Sequence, residues 1–317
     1  MNLPTQATLS KVTIVTPCYN EGVNIEILYS RTKEIFAMLP YAYEHIFVDN
    51  DSDAQSKQIL RDIAKRDSNI KIIFNLRNFG FVRSSTYALF QGNGDATIFL
   101  MCDLQDPPEL IPRLIEAYVN SDSDVIFAIR QASHESALLF TFKRLYYKAL
   151  DMISPVRLVK NSTGFGIYSS NSIRLLRQYS DSQPFIKGLV SELGLRWDTI
   201  PYISQERQNG VSSAKLNFLI DFGLLGITSH SRLPLRIVTY SGLALSSISV
   251  ALGIIVLVSK LIGLGSFPYG LAMLSSGFFF LMGFQILATG LIGEYVGFLN
   301  ERSLQRPLVI ERERINF

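Results

Sequence analysis

The sequence contains little cysteine, little charge and none of the common glycine-rich phosphate-binding motifs. Its 317 residues include only Cys18 and Cys102, which lie in separate apolar runs without a CxxC spacing. This excludes a disulfide scaffold and a cysteine-based zinc site. Charged residues make up 18% of the chain and the net charge is only +3, which excludes a strong basic field for nucleic acid. No GxGxxG follows the first predicted strand, and no GxxxxGK followed by Ser or Thr occurs, which argues against dinucleotide and P-loop sites.

Charge is missing altogether from two long stretches near the C-terminus, residues 237–259 and 261–293. Each is longer than the roughly 20 apolar residues that cross a bilayer. We therefore predict a transmembrane hairpin over 235–299, with spans at about 236–262 and 269–297. The preceding residues 216–234 are predicted to form an amphipathic helix in the membrane interface, or else a helix packed on the soluble domain.

Basic residues flank this hairpin unevenly, which predicts its orientation. The connecting loop contains only Lys260, whereas the two flanks contain Lys215, Arg232, Arg236, Arg302, Arg306, Arg312 and Arg314. Because Lys and Arg favour the cytoplasmic side, the domain of residues 1–215, the tail of residues 300–317 and both termini are expected in the cytoplasm. Residues 1–10 contain no apolar segment, so we expect no cleaved signal peptide.

The first two hundred residues alternate strand and helix patterns. Strands are predicted at 12–16, 45–48, 70–74, 96–102 and 124–129, and helices at 24–39, 56–66, 83–91 and 108–120. This alternation predicts an α/β domain, Rossmann-like, with a mostly parallel sheet covered on both faces. Ligands of such sheets bind beyond the carboxyl ends of the strands.

Polar clusters follow three of the predicted strands, at residues 19–21, 49–53 and 103–106, and are expected to meet in one crevice. Asp103 and Gln105 are two residues apart on a segment predicted to be extended, which would place both side chains on one face. Their oxygens suit Mg²⁺ or Mn²⁺ and, through the cation, a nucleotide diphosphate. Asp106 is predicted mainly to cap the helix that begins after Pro107.

Four motifs together resemble inverting glycosyltransferases of family 2. They are the segments VTPCYNE at 15–21, FVDNDS at 47–52, RNFG at 77–80 and DLQDPPE at 103–109. The likeness is greatest to the membrane-anchored polyprenyl-phosphate group, which includes dolichol-phosphate mannose synthases and bactoprenol glucosyltransferases. The two-span hairpin and the tail segment RPLVIE at 306–311 are similar to the same group.

This resemblance implies a GT-A fold and a set of site residues. Nucleotide-sugar binding falls to Pro17, Tyr19, Glu21, Asp49, Asp51 and Asp103, metal binding to Asp103 and Gln105, and catalysis to Asp103 and Arg207. Candidates for the phosphate or the acceptor are Arg130, Lys143, Ser212 and Glu192. Three positions depart from the commoner pattern of the family, namely Asn50, Met101 and Gly164, where aspartates are frequent.

The predicted reaction is metal-dependent, inverting transfer of a hexose from a nucleotide sugar, UDP-glucose or similar, to polyprenyl phosphate at the cytoplasmic membrane face. A phosphomonoester is already anionic at pH 7, so the missing carboxylate at Gly164 is tolerable for this acceptor. Two alternatives stay open: transfer to a lipid or glycan hydroxyl with Glu192 as the base, and a catalytically silent nucleotide-sugar-binding membrane subunit. The spacing of Gly293 and Gly297 matches a helix-packing pattern, and with the family resemblance it predicts a homo-oligomer.

Overall fold

A computed structural model of the chain describes part of its length. The described residues are 9–131, 159, 162–179, 184, 186–204, 238, 240–242, 244–245, 247–248, 262, 270–303 and 306–317. The chain divides into two compact units, one formed by residues 1–226 with 305–317 and the other by residues 227–304. The unit boundaries proposed from the sequence, 215/216 and 299/300, stay predictions.

The described elements of the first unit alternate strand and helix as expected. They are β1 (Lys11–Cys18), α1 (Val23–Ala37), β2 (Ala42–Asp49), α2 (Ala54–Arg66), β3 (Ile70–Asn75), α3 (Phe81–Phe90), β4 (Ala96–Phe99), a 3-10 turn (Pro108–Leu110), α4 (Ile111–Val119), β5 (Val125–Arg130), β6 (Gly166–Ser169), α5 (Ser170–Gln178), α6 (Ile186–Glu192), β7 (Trp197–Tyr202) and β8 (Glu311–Ile315).

These strands form an eight-stranded sheet with the order β7-β5-β6-β4-β1-β2-β3-β8. The pairs β1–β2, β1–β4, β2–β3 and β5–β7 are parallel, and the pairs involving β6 or β8 are antiparallel. The predicted α/β fold with a mostly parallel sheet is therefore confirmed. The register of β1 against β2 brings Cys18 level with Asp49, so the loops that follow both strands begin at the same edge.

The central strands are apolar along their whole length because both faces of the sheet are covered. Residues 12–18 of β1 are all buried. Side chains of α1, α2 and α4 belong to one hydrophobic cluster, and those of α3, α5 and α6 belong to a second. Helix α2 begins at Ala54 because Asp53 caps it, accepting a hydrogen bond from the backbone N–H of Ser56 at 2.8 Å.

The C-terminal tail contains a strand that the sequence analysis did not predict. Strand β8 pairs antiparallel with β3, with Ile315 opposite Ile72. Glu313 accepts two hydrogen bonds from Arg61 of α2, and Glu311 accepts one from the hydroxyl of Tyr87 of α3. The tail is therefore a structural part of the first unit.

The second unit contains helix α7 (Gly270–Ser303), which overlaps the second predicted span. The segment 216–234 and most of the first predicted span lie outside the described residues. Within the described residues, no helix combines the length and apolar character that a membrane crossing needs. The two-span hairpin and its orientation stay predictions.

Candidate active site

The loops that follow β1 and β2 are fastened to each other by short hydrogen bonds. The backbone N–H of Asn20 donates to the Ser52 hydroxyl at 2.9 Å, and the Asn20 side-chain oxygen accepts from the N–H of Asp53 at 2.8 Å. Asn20 and Asp51 have φ angles of 55° and 64°, a region that Asn and Asp tolerate better than most residues. The two loops therefore present one shared surface at the carboxyl edge of the sheet.

The residues predicted to bind the nucleotide lie on this surface or directly beneath it. Pro17 is buried in β1, and the Tyr19 ring is 42% exposed just beyond the strand. Glu21 is half-buried and accepts a hydrogen bond from the side-chain amide of Asn24 at 2.9 Å. An exposed aromatic ring beside a fixed carboxylate can stack on a base while the carboxylate binds ribose hydroxyls.

Two aspartates of the β2 loop have opposite electrostatic environments. Asp49 is fully buried, and this burial raises the pKa of its carboxyl although the N–H of Ser52 donates to it. Asp51 accepts a hydrogen bond from the Lys57 ammonium at 2.6 Å, which lowers its pKa. The Asp51 carboxyl is therefore more acidic than usual, whereas the Asp49 carboxyl takes up a proton more readily than usual.

Asn50, one of the departures from the family pattern, organises the neighbouring loop through its amide. Its side-chain NH₂ donates to the Asn78 side-chain oxygen at 2.9 Å, and its oxygen accepts from the N–H of Phe79 at 3.0 Å and from the Asn75 amide at 3.2 Å. A carboxylate could accept but could not donate. The amide at position 50 is thus matched to Asn78 and Phe79 of the RNFG segment and to Asn75 at the end of β3.

The acidic segment after β4 is not extended, and the prediction that Asp103 and Gln105 share a face because of strand alternation is wrong. Leu104 has a φ of 59°, so the chain turns between them. The N–H of Gln105 donates to the Asp103 carboxylate at 3.2 Å, closing a short side-chain-stabilised turn. Both oxygen-bearing side chains therefore belong to one tight turn instead of a flat shelf.

The loops after β1, β2 and β4 begin at one edge of the sheet, because β1 pairs in parallel with both β2 and β4, and a buried pair of thiols lies there. Burial raises the pKa of Cys18 well above its ordinary value, and Cys102, Asp49 and Glu21 raise it further. A hydrogen bond with Cys18 lowers the pKa of Cys102, but burial and the charges of Glu21 and Asp103 raise it more. Both cysteines are free and buried, as predicted.

Asp106 does not cap the following helix, contrary to expectation, because its carboxylate is taken by three other groups. It is fully buried and accepts hydrogen bonds from the guanidinium of Arg130 at 3.0 Å, from the hydroxyl of Thr163 at 2.9 Å and from the hydroxyl of Tyr202. Arg130 also donates to the Tyr202 oxygen at 3.0 Å. Arg130, a candidate for substrate phosphate, is thus held in an internal network.

The other predicted site residues are one exposed carboxylate and three residues outside the described chain. Glu192 is exposed at the last residue of α6, while Lys143, Arg207 and Ser212 fall outside the described residues. Gly164 has a φ of +98°, a conformation that disfavours the aspartate common in the family. Thr163 and Tyr202 were missed by the sequence analysis, and no local motif marks either of them.

The turn at Asp103 and Gln105 offers the type of ligand atom that a divalent cation prefers. Both side chains offer oxygen, which Mg²⁺ and Mn²⁺ prefer, and these ions commonly keep several waters. In the part of the chain that the structure describes, no three His, Cys, Asp or Glu residues group as a complete ligand set. A cation here would complete its coordination with water and with ligand oxygens.

The matches to known proteins assign a class to this site. Residues 13–177, more than half of the chain, match the model of glycosyl transferase family 2. The chain belongs to that family, so it is a glycosyltransferase that takes its sugar from a nucleotide sugar.

The chain is also similar to individual relatives and to a solved structure. It is 31% identical to the bactoprenol glucosyl transferase of Shigella phage SfV over 306 residues, covering 96% of this chain and 99% of the relative. It is also 31% identical to an uncharacterized glycosyltransferase of Synechocystis over 301 residues, covering 95% and 94% of the two chains. Glucosyl-3-phosphoglycerate synthase of Mycobacterium tuberculosis, solved with Mn²⁺, UDP and glucosyl-3-phosphoglycerate, is 16% identical with a TM-score of 0.46, covering 69% and 78% of the chains.

Proposed function

We propose that the protein transfers a hexose, with inversion, from UDP-glucose or a similar nucleotide sugar to polyprenyl phosphate at the cytoplasmic face of a membrane. The observation that carries the proposal is the 31% identity, over 96% of this chain, to a protein named for glucosyl transfer to bactoprenol. The converging carboxylates at the carboxyl edge of the sheet support the donor part of the proposal, because this is where such folds bind nucleotides.

The reaction needs few groups from the protein. A phosphate oxygen of the acceptor attacks the anomeric carbon, the bond from that carbon to the diphosphate breaks, and the nucleoside diphosphate leaves with the electron pair. The acceptor is anionic at pH 7, with a second pKa near ~6, and therefore requires positioning more than a general base. This agrees with a glycine at position 164 and with the exposed place of Glu192.

The residues proposed to bind the nucleotide-sugar donor lie in the three loops after β1, β2 and β4. Tyr19 stacks on the base, Glu21 binds the ribose, and Asp49 accepts from the base. Asp103 and Gln105 would hold Mg²⁺ or Mn²⁺, whose charge stabilises the departing diphosphate. Arg207 and Ser212 are proposed to contact the diphosphate or the acceptor phosphate.

Membrane attachment and self-association complete the proposal. The uncharged stretches 237–259 and 261–293 form a two-span hairpin that holds the crevice beside the lipid headgroups. Their basic flanks keep the catalytic domain in the cytoplasm, and glycine-mediated helix packing gives a homo-oligomer.

The test uses the purified full chain in lipid nanodiscs with a panel of radiolabelled nucleotide sugars. Polyprenyl phosphate and polyprenol are supplied in parallel with Mg²⁺, Mn²⁺ or EDTA, and lipid products are extracted. We expect metal-dependent label on the phosphate acceptor, reduced at least ~100-fold in Asp103→Ala, since removal of groups that stabilise developing charge has this size of effect. The control Asp122→Ala, at an exposed loop position, should leave the rate unchanged.

Each result separates the hypotheses. Label on polyprenol, lost in Glu192→Gln, would establish transfer to a hydroxyl. The absence of any lipid product with every donor would refute the proposed function and favour a binding subunit.

A further inference from the structure

A cavity of about 240 Å³ lies at the edge of the sheet where the parallel strands begin, opposite the edge of the candidate active site. Glu44 and Lys71, the third residue of β2 and the second of β3, line it. Because β8 runs antiparallel to β3, its end reaches the same edge, and Arg314 and Phe317 line the cavity too. Strand β2 advances about 17 Å from Glu44 to Asp49, given the rise of a strand per residue. The cavity is therefore separate from the nucleotide loops.

Positive charge exceeds negative charge on the wall of this cavity. The charged residues among its described lining are three cations and one carboxylate, namely Lys71, Arg177, Arg314 and Glu44. The Glu44 carboxylate already binds the ammonium groups of Lys71 and Lys11, both at 2.8 Å. Arg314 is paired with Glu311 at 2.6 Å. With Lys11 and Glu311 included, four cations face two carboxylates, so the excess of positive charge is the same.

Arg177 is the cavity cation that has no carboxylate partner among the described residues. Its guanidinium donates to the backbone carbonyls of Phe90 and Gly92, at 2.8 and 2.6 Å, at the end of helix α3. These bonds cap the helix, but a guanidinium has five N–H donors, so others remain for a ligand. Partial burial lowers the pKa of this guanidinium, and a bound anion would offset that loss of solvation.

The cavity also has uncharged walls and more room than an inorganic ion needs. Phe90 is buried and Phe317 is half-exposed, with the Lys71 ammonium 5.2 Å from the centre of the Phe317 ring. The side-chain amides of Gln91 and Asn93 belong to the same lining. At roughly 15 Å³ for each water-sized group, the cavity has room for about 16 heavy atoms. A phosphate takes about five of these, which leaves space for a body the size of a monosaccharide.

We infer that this cavity binds a sugar monophosphate, at a site distinct from the catalytic centre. The phosphate dianion lies among Arg177, Lys71 and Arg314, because hydrogen bonds between ionised groups are the strongest that such a wall can form. The two wall amides bind hydroxyl groups, and the C–H face of the sugar packs on the ring of Phe317. A ligand held in this way contacts α3, α5, β3 and the C-terminal segment together, so it also fastens β8 to the sheet.

Calorimetric titration of the full chain in phosphatidylcholine nanodiscs tests this site, with saturating UDP and Mg²⁺ present to occupy the donor site. The probes are glucose 6-phosphate, glucose and inorganic phosphate. We expect glucose 6-phosphate to bind at least tenfold more tightly than either of the other two. Arg177→Met should weaken its binding at least tenfold, and Arg177→Lys should recover part of the loss. The matched control is Arg174→Met, because Arg174 is exposed one turn earlier on α5 and donates to Asn171; binding should be unchanged there.

Hydrogen exchange of the wild-type chain gives a second readout that needs no substitution. Glucose 6-phosphate should slow exchange at least twofold in residues 90–93 and 311–315, and glucose should not. Unchanged exchange in both segments would overturn the inference. Equal affinity of Arg177→Met and the wild type would do the same, as would equal binding of glucose 6-phosphate and inorganic phosphate.

This site and the proposed function can fail separately, because every readout above is binding and none is transfer. Arg177-dependent binding of glucose 6-phosphate in a chain that makes no hexosyl lipid would refute the function alone. Normal transfer to polyprenyl phosphate in a chain that does not bind glucose 6-phosphate would refute the second site alone.

Discussion

Replacing Arg130 by methionine should destabilise the catalytic unit while the fold is otherwise kept. The Arg130 side chain is 26% exposed and Asp106 is fully buried. Loss of the guanidinium leaves the Asp106 carboxylate buried with only the hydroxyls of Thr163 and Tyr202. Removing one partner of a buried ion pair typically costs about 3–5 kcal/mol. The partial exposure of Arg130 places the expected loss near the lower limit, about 3 kcal/mol.

Thermal unfolding of the full chain, followed by the fluorescence of Trp197, measures this loss. For a unit of about 200 residues, 1 kcal/mol corresponds to roughly 2–4 °C in Tm, so Arg130→Met should unfold about 6–12 °C below wild type. The matched control is Arg113→Met, because Arg113 is exposed and donates only a 3.5 Å hydrogen bond to the Pro201 carbonyl. We expect a change within about 0.5 kcal/mol there.

A double substitution distinguishes the network from a substrate-binding role for Arg130. Because replacing both members of a buried pair by apolar residues is often close to neutral, Asp106→Leu with Arg130→Met should recover much of the Tm that the single change loses. If Arg130→Met instead retained wild-type stability and raised only the KM for the nucleotide sugar, our account of Arg130 as an internal partner of Asp106 would be refuted.

Three further predictions concern the active-site loops and the C-terminal strand. Asn50→Asp should lower stability by about 1–3 kcal/mol, because the carboxylate faces an acceptor oxygen without a proton to donate; an unchanged Tm would contradict the amide network. Gly164→Asp should cost about 1–3 kcal/mol through backbone strain and should not accelerate transfer to polyprenyl phosphate, which product counting will check. Burial raises the pKa of Glu311, but hydrogen bonds from Arg314 and Tyr87 hold it below the ordinary value of 4.5. Its stabilisation is therefore present at neutral pH and lost as pH falls through that lowered pKa. The protection factors of the amides of residues 311–315, which correct for the slower intrinsic exchange in acid, should accordingly fall as the pH is lowered, and Glu311→Gln should remove this pH dependence; an equal pH response in the variant would be the contrary result.

The parallel core of the fold could be predicted because its signals are local. The strands at 12–16, 45–48 and 70–74 were found within a few residues of β1, β2 and β3, since strands buried on both faces are continuous apolar runs. The convergence of the loops after β1, β2 and β4 followed from topology alone. An apolar run and the polar residues that follow it can both be recognised in a short stretch of sequence.

The remaining features depend on partners that are remote in sequence. Asp106 is a good helix cap by composition, but Tyr202, 96 residues away, provides its hydroxyl instead. The turn at Asp103 depends on a positive φ at Leu104, and a leucine in the sequence does not indicate a positive φ. Strand β8, with its sequence ERERI, is too charged to resemble a buried strand, because it pairs at the edge of the sheet and satisfies its charges with Arg61 and Arg314.

The position of β8 imposes an order on biosynthesis. Arg61 and its partner Glu313 are 252 residues apart, so at about 5–20 residues per second translation leaves the outer edge of β3 open for roughly 13–50 s. All of residues 227–304 must leave the ribosome before that edge can close. An open strand edge invites pairing with other chains, so a nascent or prematurely terminated chain is vulnerable to aggregation and to quality-control proteases. Among the strands that the structure describes, the one that covers the outer edge of β3 is thus the last to be synthesised.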